Sequence, residues 1–351
     1  MSEEISIGPI KVGLAHPPLI IAELSGNHNG SLEQALALVE AAAKAGVQAI
    51  KLQTYTPDTI TLDVQREEFL ISEPSSLWAG RNLYDLYKEA HMPWEWHAPI
   101  FEKCRLLGLT AFSTPFDETA VDFLETLDVP CYKIASPEIV DLPLIRKTAA
   151  TGKPLIISTG GSTLAEIGEA VETARKSGCR ELILLKCTAA YPADPADVHL
   201  RTLSHLAACF NTFVGLSDHT LGLGVPIASV ALGCCVIEKH LTLSRADGGV
   251  DSAFSLEPHE FKSLVDETKR AWEALGQVQY GPIPAEKTTL SHRPSLYFVE
   301  DLAEGETVQL HHIRSVRPAK GLPPKYESAI IGLKVARNIQ KGTPVDWSSF
   351  K

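Results

Sequence analysis

Eight short apolar runs, separated by helix-length segments, constrain the fold of this chain more than any other feature of its sequence. Apolar runs of this length are typical of strands that are buried on both faces of a parallel sheet. A closed barrel needs eight such strand–helix units, whereas an open doubly wound sheet is expected to carry a GxGxxG phosphate loop, which this sequence lacks. The sequence therefore predicts an α/β fold built on a (β/α)8 TIM barrel. The predicted strands are Leu19–Glu23, Ala49–Gln53, Ala111–Thr114, Tyr132–Ala135, Leu155–Ser158, Glu181–Cys187, Thr212–Leu216 and Val236–His240.

The last part of the chain contains a weak internal repeat. Residues 301–308 and 338–345 both read polar–apolar–x–x–Gly–x–x–Val. The glycines of the two copies, Gly305 and Gly342, can adopt backbone angles that other residues avoid. A repeated turn of this kind predicts a small, pseudo-symmetric, β-rich domain.

Between the barrel and this domain the sequence loses its periodicity. A helix predicted over Pro258–Leu275 ends the barrel, and the residues after it are rich in glycine, proline and threonine, which is typical of a linker. The sequence therefore predicts three regions: a barrel domain over 1–276, a linker over 277–294 and a small β-rich domain over 295–351.

Composition narrows the class of protein. Of the 351 residues 44% are hydrophobic, so a well-buried core is expected, and the net charge of −11 disfavours a nucleic-acid partner. The seven cysteines form no CxxC pair, and their odd number favours a reducing compartment. The N-terminus does not resemble a signal peptide, and no apolar run reaches the roughly 18 residues of a membrane span. We therefore expect a cytoplasmic protein without membrane or nucleic-acid partners.

A long segment without regular periodicity, residues 54–93, follows the second predicted strand. A helix is predicted within it only near Leu83–Glu89. Insertions of this length inside a compact domain are usually functional or mobile.

Two of the predicted strands lead into short polar stretches, and each stretch contains a histidine, His219 in one and His240 in the other. A single histidine in such a place is more often structural. The carboxyl ends of barrel strands meet at one mouth, however, so two neighbouring strands would bring both imidazoles together. Paired imidazoles suit a divalent ion of the Mn, Zn or Fe kind, which could polarise a carbonyl group. Asp218 and Glu238 are both candidates for a further ligand or a supporting partner.

Lys51 and Lys133 each lie within an otherwise apolar predicted strand. Burying an unpaired charge is costly, so each lysine either pairs with a carboxylate such as Glu23 or faces a bound dianion. Several serine and threonine residues at other strand ends favour the second interpretation, a phosphate or carboxylate cradle. Such a cradle beside a carbonyl-polarising metal suggests that a phosphorylated three-carbon unit is joined to an aldehyde.

At these residues the chain resembles the sialic acid synthase family. The resemblance implies a (β/α)8 barrel followed by an antifreeze-like (SAF) domain, and condensation of phosphoenolpyruvate with an N-acetylated amino sugar to give a nonulosonic acid. Carbon 3 of phosphoenolpyruvate attacks the sugar aldehyde, water adds at carbon 2, and phosphate leaves with cleavage of the C–O bond. The matching motifs are Ile21–Glu23, Lys51–Thr54, Ser113–Phe116, Tyr132–Ser136, Ser158–Gly160, Gly215–Thr220, Glu238–His240 and Val316–Pro318.

The resemblance also implies roles for individual residues. His219 and His240 would bind a divalent metal, Mn²⁺ first, with Mg²⁺ or Co²⁺ as alternatives. Glu23 would orient or deprotonate the attacking water. Arg317 would reach the N-acetyl group of the sugar from the SAF domain of a second subunit, in a domain-swapped homodimer. Phosphoenolpyruvate would be held by Lys51, Thr114, Lys133, Ser136, Ser158 and Ser217. The acceptor sugar would be contacted by Gln53, Glu138, Tyr191 and Asp251.

The sequence departs in places from the members that form N-acetylneuraminate. Residues 25–29 read Ser-Gly-Asn-His-Asn where those members carry Gly-Ile-Asn-His-Glu, and 249–255 read Gly-Val-Asp-Ser-Ala-Phe-Ser where they carry Gly-Pro-Asp. Ala189 stands where they carry an asparagine that contacts phosphoenolpyruvate. Both stretches look like the pseudaminic acid synthase branch, which uses 2,4-diacetamido-2,4,6-trideoxy-altropyranose. Three apolar residues are expected to contact this sugar: Val250, Ala253 and Phe254.

Three other functions are alternatives. A relative within the family would make N-acetylneuraminate or legionaminate from another N-acetyl sugar. A class I aldolase would form a Schiff base on Lys186 or Lys133, and would be inactivated by borohydride but indifferent to EDTA. A non-catalytic carbohydrate-binding protein would have a degenerate barrel, which the full set of barrel residues Glu23, Lys51, Lys133, His219 and His240 disfavours.

Overall fold

The computed structural model describes residues 3–74 and 76–351. These residues form two compact units, the first ending at Gly276 and the second running over Gln277–Lys351. Each unit has its own cluster of buried apolar side chains. Within the described part of the chain, no helix combines the length and the apolar character that a membrane crossing requires.

The first unit opens with a hairpin that the sequence analysis did not predict. Strands β1 (Ile5–Ile7) and β2 (Ile10–Val12) pair antiparallel. Their buried apolar side chains belong to the same cluster as Leu19 and Phe112 of the barrel interior. The hairpin therefore covers the end of the barrel at which its strands begin.

Eight parallel strands follow and close into a barrel, with the last strand pairing with the first. This confirms the predicted TIM barrel, because every predicted strand is present. The observed strands are β3 (Leu19–Glu23), β4 (Ala49–Thr54), β5 (Thr110–Pro115), β6 (Tyr132–Ile134), β7 (Leu155–Ser158), β8 (Leu182–Cys187), β9 (Phe213–Ser217) and β10 (Cys234–His240).

Helices alternate with these strands. The helix predicted over Pro258–Leu275 has the expected bounds. The helices of the first unit are α1 (Leu32–Ala45), α2 (Pro57–Ile60), α3 (Leu83–Ala90), α4 (His97–Leu106), α5 (Glu118–Glu125), α6 (Leu142–Ala150), α7 (Leu164–Lys176), α8 (Thr202–Phe210), α9 (Gly224–Val230) and α10 (Pro258–Leu275).

Side chains of the barrel strands alternate between the lumen and the layer under the helices. On β3, Leu19 and Ile21 belong to the lumenal cluster, whereas Ile20 and Ala22 pack with the helices. Because successive strand residues point to opposite faces, a residue two positions beyond a lumenal one is lumenal as well. This rule places Glu23 in the lumen, at the end where the strands finish.

Gly215 on β9 lies where the lumen is too crowded for any side chain. A Cβ atom there would press against the Val236 carbonyl oxygen and would lie 2.5 Å from Leu185 Cδ2. Overpacking of this kind typically costs 1–3 kcal/mol and occasionally more. We therefore expect Gly215→Ala to lower the free energy of unfolding by about 3 kcal/mol, as measured by urea denaturation.

Gly168 in α7 is the matched control, because its added Cβ would meet only Phe210 Cε1 at 3.9 Å. Alanine is favoured over glycine inside a helix, so Gly168→Ala should stabilise the protein by about 0.5–1 kcal/mol. A Gly215→Ala chain that unfolds at the same urea concentration as the wild type would contradict the crowding argument.

The insertion after β4 is largely folded. It contains α2, a turn of 3₁₀ helix at Glu67–Phe69 and α3, which confirms the helix predicted near Leu83–Glu89. Its middle part doubles back on itself, because Ile71 N–H donates to the Arg81 carbonyl oxygen at 2.9 Å and Gly80 N–H donates to the Ile71 carbonyl oxygen at 2.7 Å. The insertion is thus a structured loop.

The second unit is small and rich in β-bridges. The region predicted as a linker contains a short helix, α11 (Lys287–Leu290), which loss of periodicity in the sequence did not predict. Strands β11 (Ser295–Phe298) and β12 (Ile313–Val316) pair antiparallel, and α12 (Glu327–Ile330) follows.

The predicted repeat forms the centre of this unit. Leu302 and Ile339, which hold the same position in the two copies, exchange two backbone hydrogen bonds of 2.9 Å. Gly305 and Gly342 have φ values of +83° and +88°, which only glycine adopts easily. The pseudo-symmetric, β-rich character predicted from the sequence is therefore confirmed.

Candidate active site

A ring of buried polar side chains lines the lumen at the end where the barrel strands finish. The alternation of side chains along each strand predicts this ring. Each member lies two positions beyond a lumenal residue of its own strand, or level with a lumenal apolar residue on a neighbouring strand. All of them are nearly inaccessible to solvent. The ring consists of Glu23, Lys51, Thr114, Lys133, Ser158, Cys187, Ser217 and Glu238.

Two lysines and two glutamates of this ring form one ionic cluster. Lys51 Nζ contacts Glu23 Oε2, and lies 3.8 Å from Glu238 Oε1. Lys133 Nζ lies 3.7 Å from the same Glu238 oxygen. Structural pairing, one of the two interpretations of the lysines, is therefore present. It does not exclude anion binding, because the Lys51 ammonium group also donates to Thr114 Oγ1 at 3.1 Å and so lies beside a hydroxyl group that an anion could share.

The pKa values of the two carboxyl groups in this cluster are shifted in opposite directions. Burial raises the pKa of Glu23, and the attraction of Lys51 offsets only part of this. Burial would also raise the pKa of Glu238, but Lys133 and Lys51 outweigh it and hold that pKa below its usual range. Glu238 is thus the fixed negative charge, and Glu23 is the carboxylate better able to accept a proton.

Several buried polar atoms at this end have no hydrogen-bond partner among the described residues. A buried polar atom without a partner typically costs 1–3 kcal/mol, so several of them at one end of the barrel indicate that a polar ligand binds there. The atoms are Glu23 Oε1, Glu238 Oε2, Ser158 Oγ and Glu138 Oε2.

His219 and His240 lie side by side at the mouth, with ring centroids 5.4 Å apart. His219 Nδ1 lies 2.9 Å from the Thr188 carbonyl oxygen, which can only accept, so this nitrogen carries the proton. His240 Nδ1 lies 3.0 Å from Ser25 Oγ. Each ring is therefore held through Nδ1, which leaves Nε2 available as a ligand atom.

The two imidazoles are chemically suited to bind a divalent metal ion. Metal-binding histidines usually hold their second nitrogen in a hydrogen bond to a carbonyl or a polar side chain, as both do here. Burial, followed by the repulsion of His219, pushes the pKa of His240 well below its usual value and keeps that ring neutral. Burial opposes protonation of His219, but contact with Cys187 raises its pKa overall. Glu23 and Glu238 offer unpaired oxygens in the adjacent lumen.

Asp218 does not belong to this set, contrary to its candidacy as a ligand. It follows lumenal Ser217 directly and therefore faces the helical layer. There it accepts a 2.6 Å hydrogen bond from buried Lys239, which also donates to the Thr220 carbonyl oxygen at 2.7 Å. This ion pair joins the two strand ends that carry His219 and His240.

Lys186 also lies outside the lumen. It shares a face of β8 with Leu182 and Leu184, which pack against the helices. Its Nζ donates to the Cys187 carbonyl oxygen at 2.8 Å. A Schiff-base lysine must meet its substrate, so this placement argues against an aldolase that uses Lys186.

A cavity of about 480 Å³ opens beside the histidines. Four of the five residues predicted to contact the acceptor sugar line it, together with His240, whereas the fifth, Arg317, belongs to the second unit. Burial raises the pKa of Glu138 to about 7, so this carboxyl group is partly protonated near neutral pH. The predicted acceptor residues in its wall are Gln53, Glu138, Tyr191 and Asp251.

The insertion after β4 supplies most of the apolar wall of this cavity, which the sequence analysis did not predict. Trp78 Nε1 donates to the Val250 carbonyl oxygen at 2.9 Å, and its ring packs on Tyr191 at a centroid distance of 5.6 Å. The apolar lining from the insertion comprises Ile60, Ile71, Trp78, Leu83 and Leu86.

The expected apolar contacts from residues 250–254 are present only in part. Val250 lines the cavity. Phe254 is buried behind it, against the rings of Tyr191, His219 and His240. Ala253 is exposed and does not line the cavity, because the short 3₁₀ turn at Ser252–Phe254 directs it outward.

The remaining predicted site residues lie at the same mouth or in the second unit. Ser136 follows β6, and its Oγ accepts a hydrogen bond of 3.0 Å from the Gly160 amide. Arg317 is an exposed residue of the second unit, directly after β12. Ser25, which holds His240, was not predicted. Its position just beyond β3 is the signal that could have identified it.

Comparison with known proteins agrees with this architecture. The NeuB family matches residues 38–280, and the SAF domain matches residues 293–351. The chain is 43% identical to pseudaminic acid synthase of Campylobacter jejuni over 335 residues, 95% of this chain and 96% of the relative. It is 41% identical to pseudaminic acid synthase of Helicobacter pylori over 95% of this chain and 97% of the relative.

Two further relatives are more distant in sequence. The N,N'-diacetyllegionaminic acid synthase of Legionella pneumophila is 36% identical over 95% of this chain and 94% of its own length. The crystal structure of N-acetylneuraminic acid synthetase from Leptospira borgpetersenii, 33% identical, superposes with a TM-score of 0.72 over 83% of this chain and 96% of its own. By both sequence and fold, the chain belongs to the NeuB family and is a nonulosonic acid synthase.

Proposed function

We propose that this enzyme is a pseudaminic acid synthase. It condenses phosphoenolpyruvate with 2,4-diacetamido-2,4,6-trideoxy-altropyranose and water, and releases phosphate by cleavage of the C–O bond. The observation that carries the proposal is the cavity of about 480 Å³ at the barrel mouth, whose lining combines His240, Glu138 and Asp251 with an apolar wall from the insertion after β4. The relatives named pseudaminic acid synthase, at 41% and 43% identity, support the same acceptor.

The lumenal ring would hold phosphoenolpyruvate. Lys51 and Lys133 are balanced by Glu23 and Glu238, so these four groups alone offer a trianion no surplus of positive charge. A divalent ion on His219 and His240 would correct that balance. This charge balance supports the proposal that phosphoenolpyruvate binds to the lysines only when the metal ion is also bound.

The residues of the chain have distinct tasks in the reaction. The divalent ion, proposed as Mn²⁺, would supply Lewis-acid polarisation of the acceptor aldehyde. Lys51 and Lys133 hold the phosphate and carboxylate groups so that carbon 3 of phosphoenolpyruvate faces the aldehyde carbon. Glu23 accepts a proton from the water that adds at carbon 2, and the lysines stabilise the negative charge on the departing phosphate.

The acceptor would be held by the residues of the cavity wall. Glu138 can donate or accept a hydrogen bond near neutral pH, because burial raises its pKa to about 7. Such a group suits an amide, which offers both a donor and an acceptor. Asp251 accepts a hydrogen bond of 3.3 Å from the Gly26 amide, which fixes it beside the ring of His240.

Phosphate release distinguishes this function from its alternatives. The purified enzyme is offered phosphoenolpyruvate with Mn²⁺ or with EDTA, and with the diacetamido-altrose sugar or N-acetylmannosamine. We expect phosphate only with metal and only with the first sugar. Release with the second sugar alone would contradict the acceptor, and release that is unaffected by EDTA but stopped by borohydride would contradict the mechanism.

We also propose that Arg317 acts on the partner subunit of a domain-swapped homodimer. Arg317 is exposed in the second unit, and its planar guanidinium group suits an N-acetyl carbonyl. If so, Arg317→Ala and Glu23→Gln chains, each inactive alone, should regain activity when they are unfolded and refolded together. Random pairing leaves one intact site in half of the dimers, so about a quarter of the wild-type rate is expected. No recovery would contradict the swap.

A further inference from the structure

The acceptor cavity has two chemically different ends. The polar residues of its lining belong to the barrel strands or to the segments that follow them, and we take them as the inner end: Gln53, Glu138, Asp251 and His240. The insertion after β4 contributes aliphatic and indole side chains, which we take as the outer end. An acceptor in this cavity therefore meets hydrogen-bonding groups at one end and an apolar surface at the other.

The chemistry fixes which end of the acceptor lies where. The carbon–carbon bond forms at the aldehyde carbon, so this carbon must lie at the inner end, beside the lumen and His240. An open-chain sugar then extends outward, and the carbon farthest from the aldehyde reaches the insertion. A methyl group there gains apolar contact, whereas a hydroxymethyl group would lose hydrogen bonds to water without replacement.

We propose that the insertion after β4 selects acceptors that carry a methyl group, and not a hydroxymethyl group, at the end remote from the aldehyde. Ile60 and Ile71 form the selecting surface. This inference rests on the proposed function, since it concerns the acceptor of that same reaction. It assigns the insertion, rather than residues 250–254 alone, as the element that determines specificity.

The contacts of Trp78 explain how the insertion can discriminate between a methyl and a hydroxymethyl group. Its indole N–H donates to the Val250 carbonyl oxygen at 2.9 Å, and this bond joins the insertion to the segment that follows β10. Its ring packs on Tyr191, which itself packs on His219 at a centroid distance of 4.4 Å. The apolar surface is thus held at a fixed distance from the reacting end, as selection by size and polarity requires.

The test compares two acceptors that differ only in one hydroxyl group. These are the diacetamido sugar with a methyl group at carbon 6 and its counterpart with a hydroxymethyl group there. We expect wild-type kcat/KM for the methyl sugar to be about 100-fold higher, the selectivity that an apolar pocket typically achieves against an added hydroxyl. Ile71→Ser and Ile60→Ser should each reduce this ratio to about tenfold or less.

Leu70→Ser is the matched control, because Leu70 adjoins Ile71 but is 43% exposed and does not line the cavity. Its ratio should stay at the wild-type value. The two test variants lie at separate places in the insertion, and circular dichroism verifies that each is folded. If one does not fold, the other still decides the result.

Failure of this inference differs from failure of the proposed function. An unchanged ratio in the folded serine variants, or a wild type that uses both sugars equally, would overturn the selecting role while leaving the synthase reaction in place. A wild type that releases no phosphate from phosphoenolpyruvate with either sugar would overturn both.

Discussion

Replacing either His219 or His240 with alanine is expected to lower metal-dependent phosphate release by about 10³-fold or more. Lewis-acid polarisation contributes several kcal/mol to such a reaction, and each 1.36 kcal/mol corresponds to a factor of ten. Both Nδ1 atoms are already engaged in hydrogen bonds, so Nε2 is the nitrogen of each ring that is left to bind the ion. Initial rates of phosphate release at saturating Mn²⁺ measure the effect.

Metal binding provides a second measurement that does not depend on turnover. Isothermal titration of the wild type with Mn²⁺ should show one site per chain, and each alanine variant should bind at least about 10-fold more weakly. His205→Ala is the control, since His205 lies on α8, away from the strand ends, and contacts Cys209. If the His219 and His240 variants bound Mn²⁺ as the wild type does, the metal would have to lie elsewhere.

The barrel was predictable because its strands are buried on both faces. The limits of apolar runs such as Leu155–Ser158 and Leu182–Cys187 mark the limits of the strands. Eight such strands, alternating with helices, are compatible with few folds other than a closed barrel. The hairpin Ile5–Ile7 and Ile10–Val12 was missed because its strands are only three residues long. Strands this short have no periodicity to read, and packing against the barrel stabilises them.

The site was predictable where strand alternation applies. Two-residue spacing places Glu23 and Lys51 in the lumen, and the same rule would have placed Asp218 outside it. Of the two roles predicted for Asp218, ligand or supporting partner, that rule leaves only the second. Pairing of Lys51 with Glu23 was one of the two interpretations of the buried lysines. Glu238 was not identified as a partner of Lys51 and Lys133, because β10 lies far from β4 and β6 in the sequence.

The apolar wall of the acceptor cavity was beyond sequence reasoning for another reason. Ile60, Ile71 and Trp78 are spaced without a helical or strand period, and they meet only when the insertion folds over the barrel mouth. The bond from Trp78 to Val250 joins residues 172 positions apart. Local propensity carries no information on such contacts, so only the length of the insertion indicated a functional role.

Lys51→Met should lower both stability and phosphate release, and it separates the two interpretations of the buried lysines. Removing one partner of a buried ion pair typically costs 3–5 kcal/mol, because the other charge stays buried without compensation. Lys51 compensates Glu23 directly and Glu238 at 3.8 Å, so we expect a stability loss of about this size in urea denaturation. Phosphate release should also fall, by about 10²–10³-fold, as when one charge-stabilising donor is removed.

The double variant Lys51→Met with Glu23→Gln shows whether the lysine does more than balance charge. Neutralising Glu23 removes the uncompensated carboxylate, so the double variant should recover most of the lost stability, with a coupling energy of about 1–3 kcal/mol. If Lys51 also holds phosphoenolpyruvate, the recovered fold should still bind this anion at least about tenfold more weakly, because a charge-assisted contact is gone. Wild-type affinity for phosphoenolpyruvate in the stable double variant would leave Lys51 a structural partner of Glu23 and would assign anion binding to Lys133 and the hydroxyl groups around it.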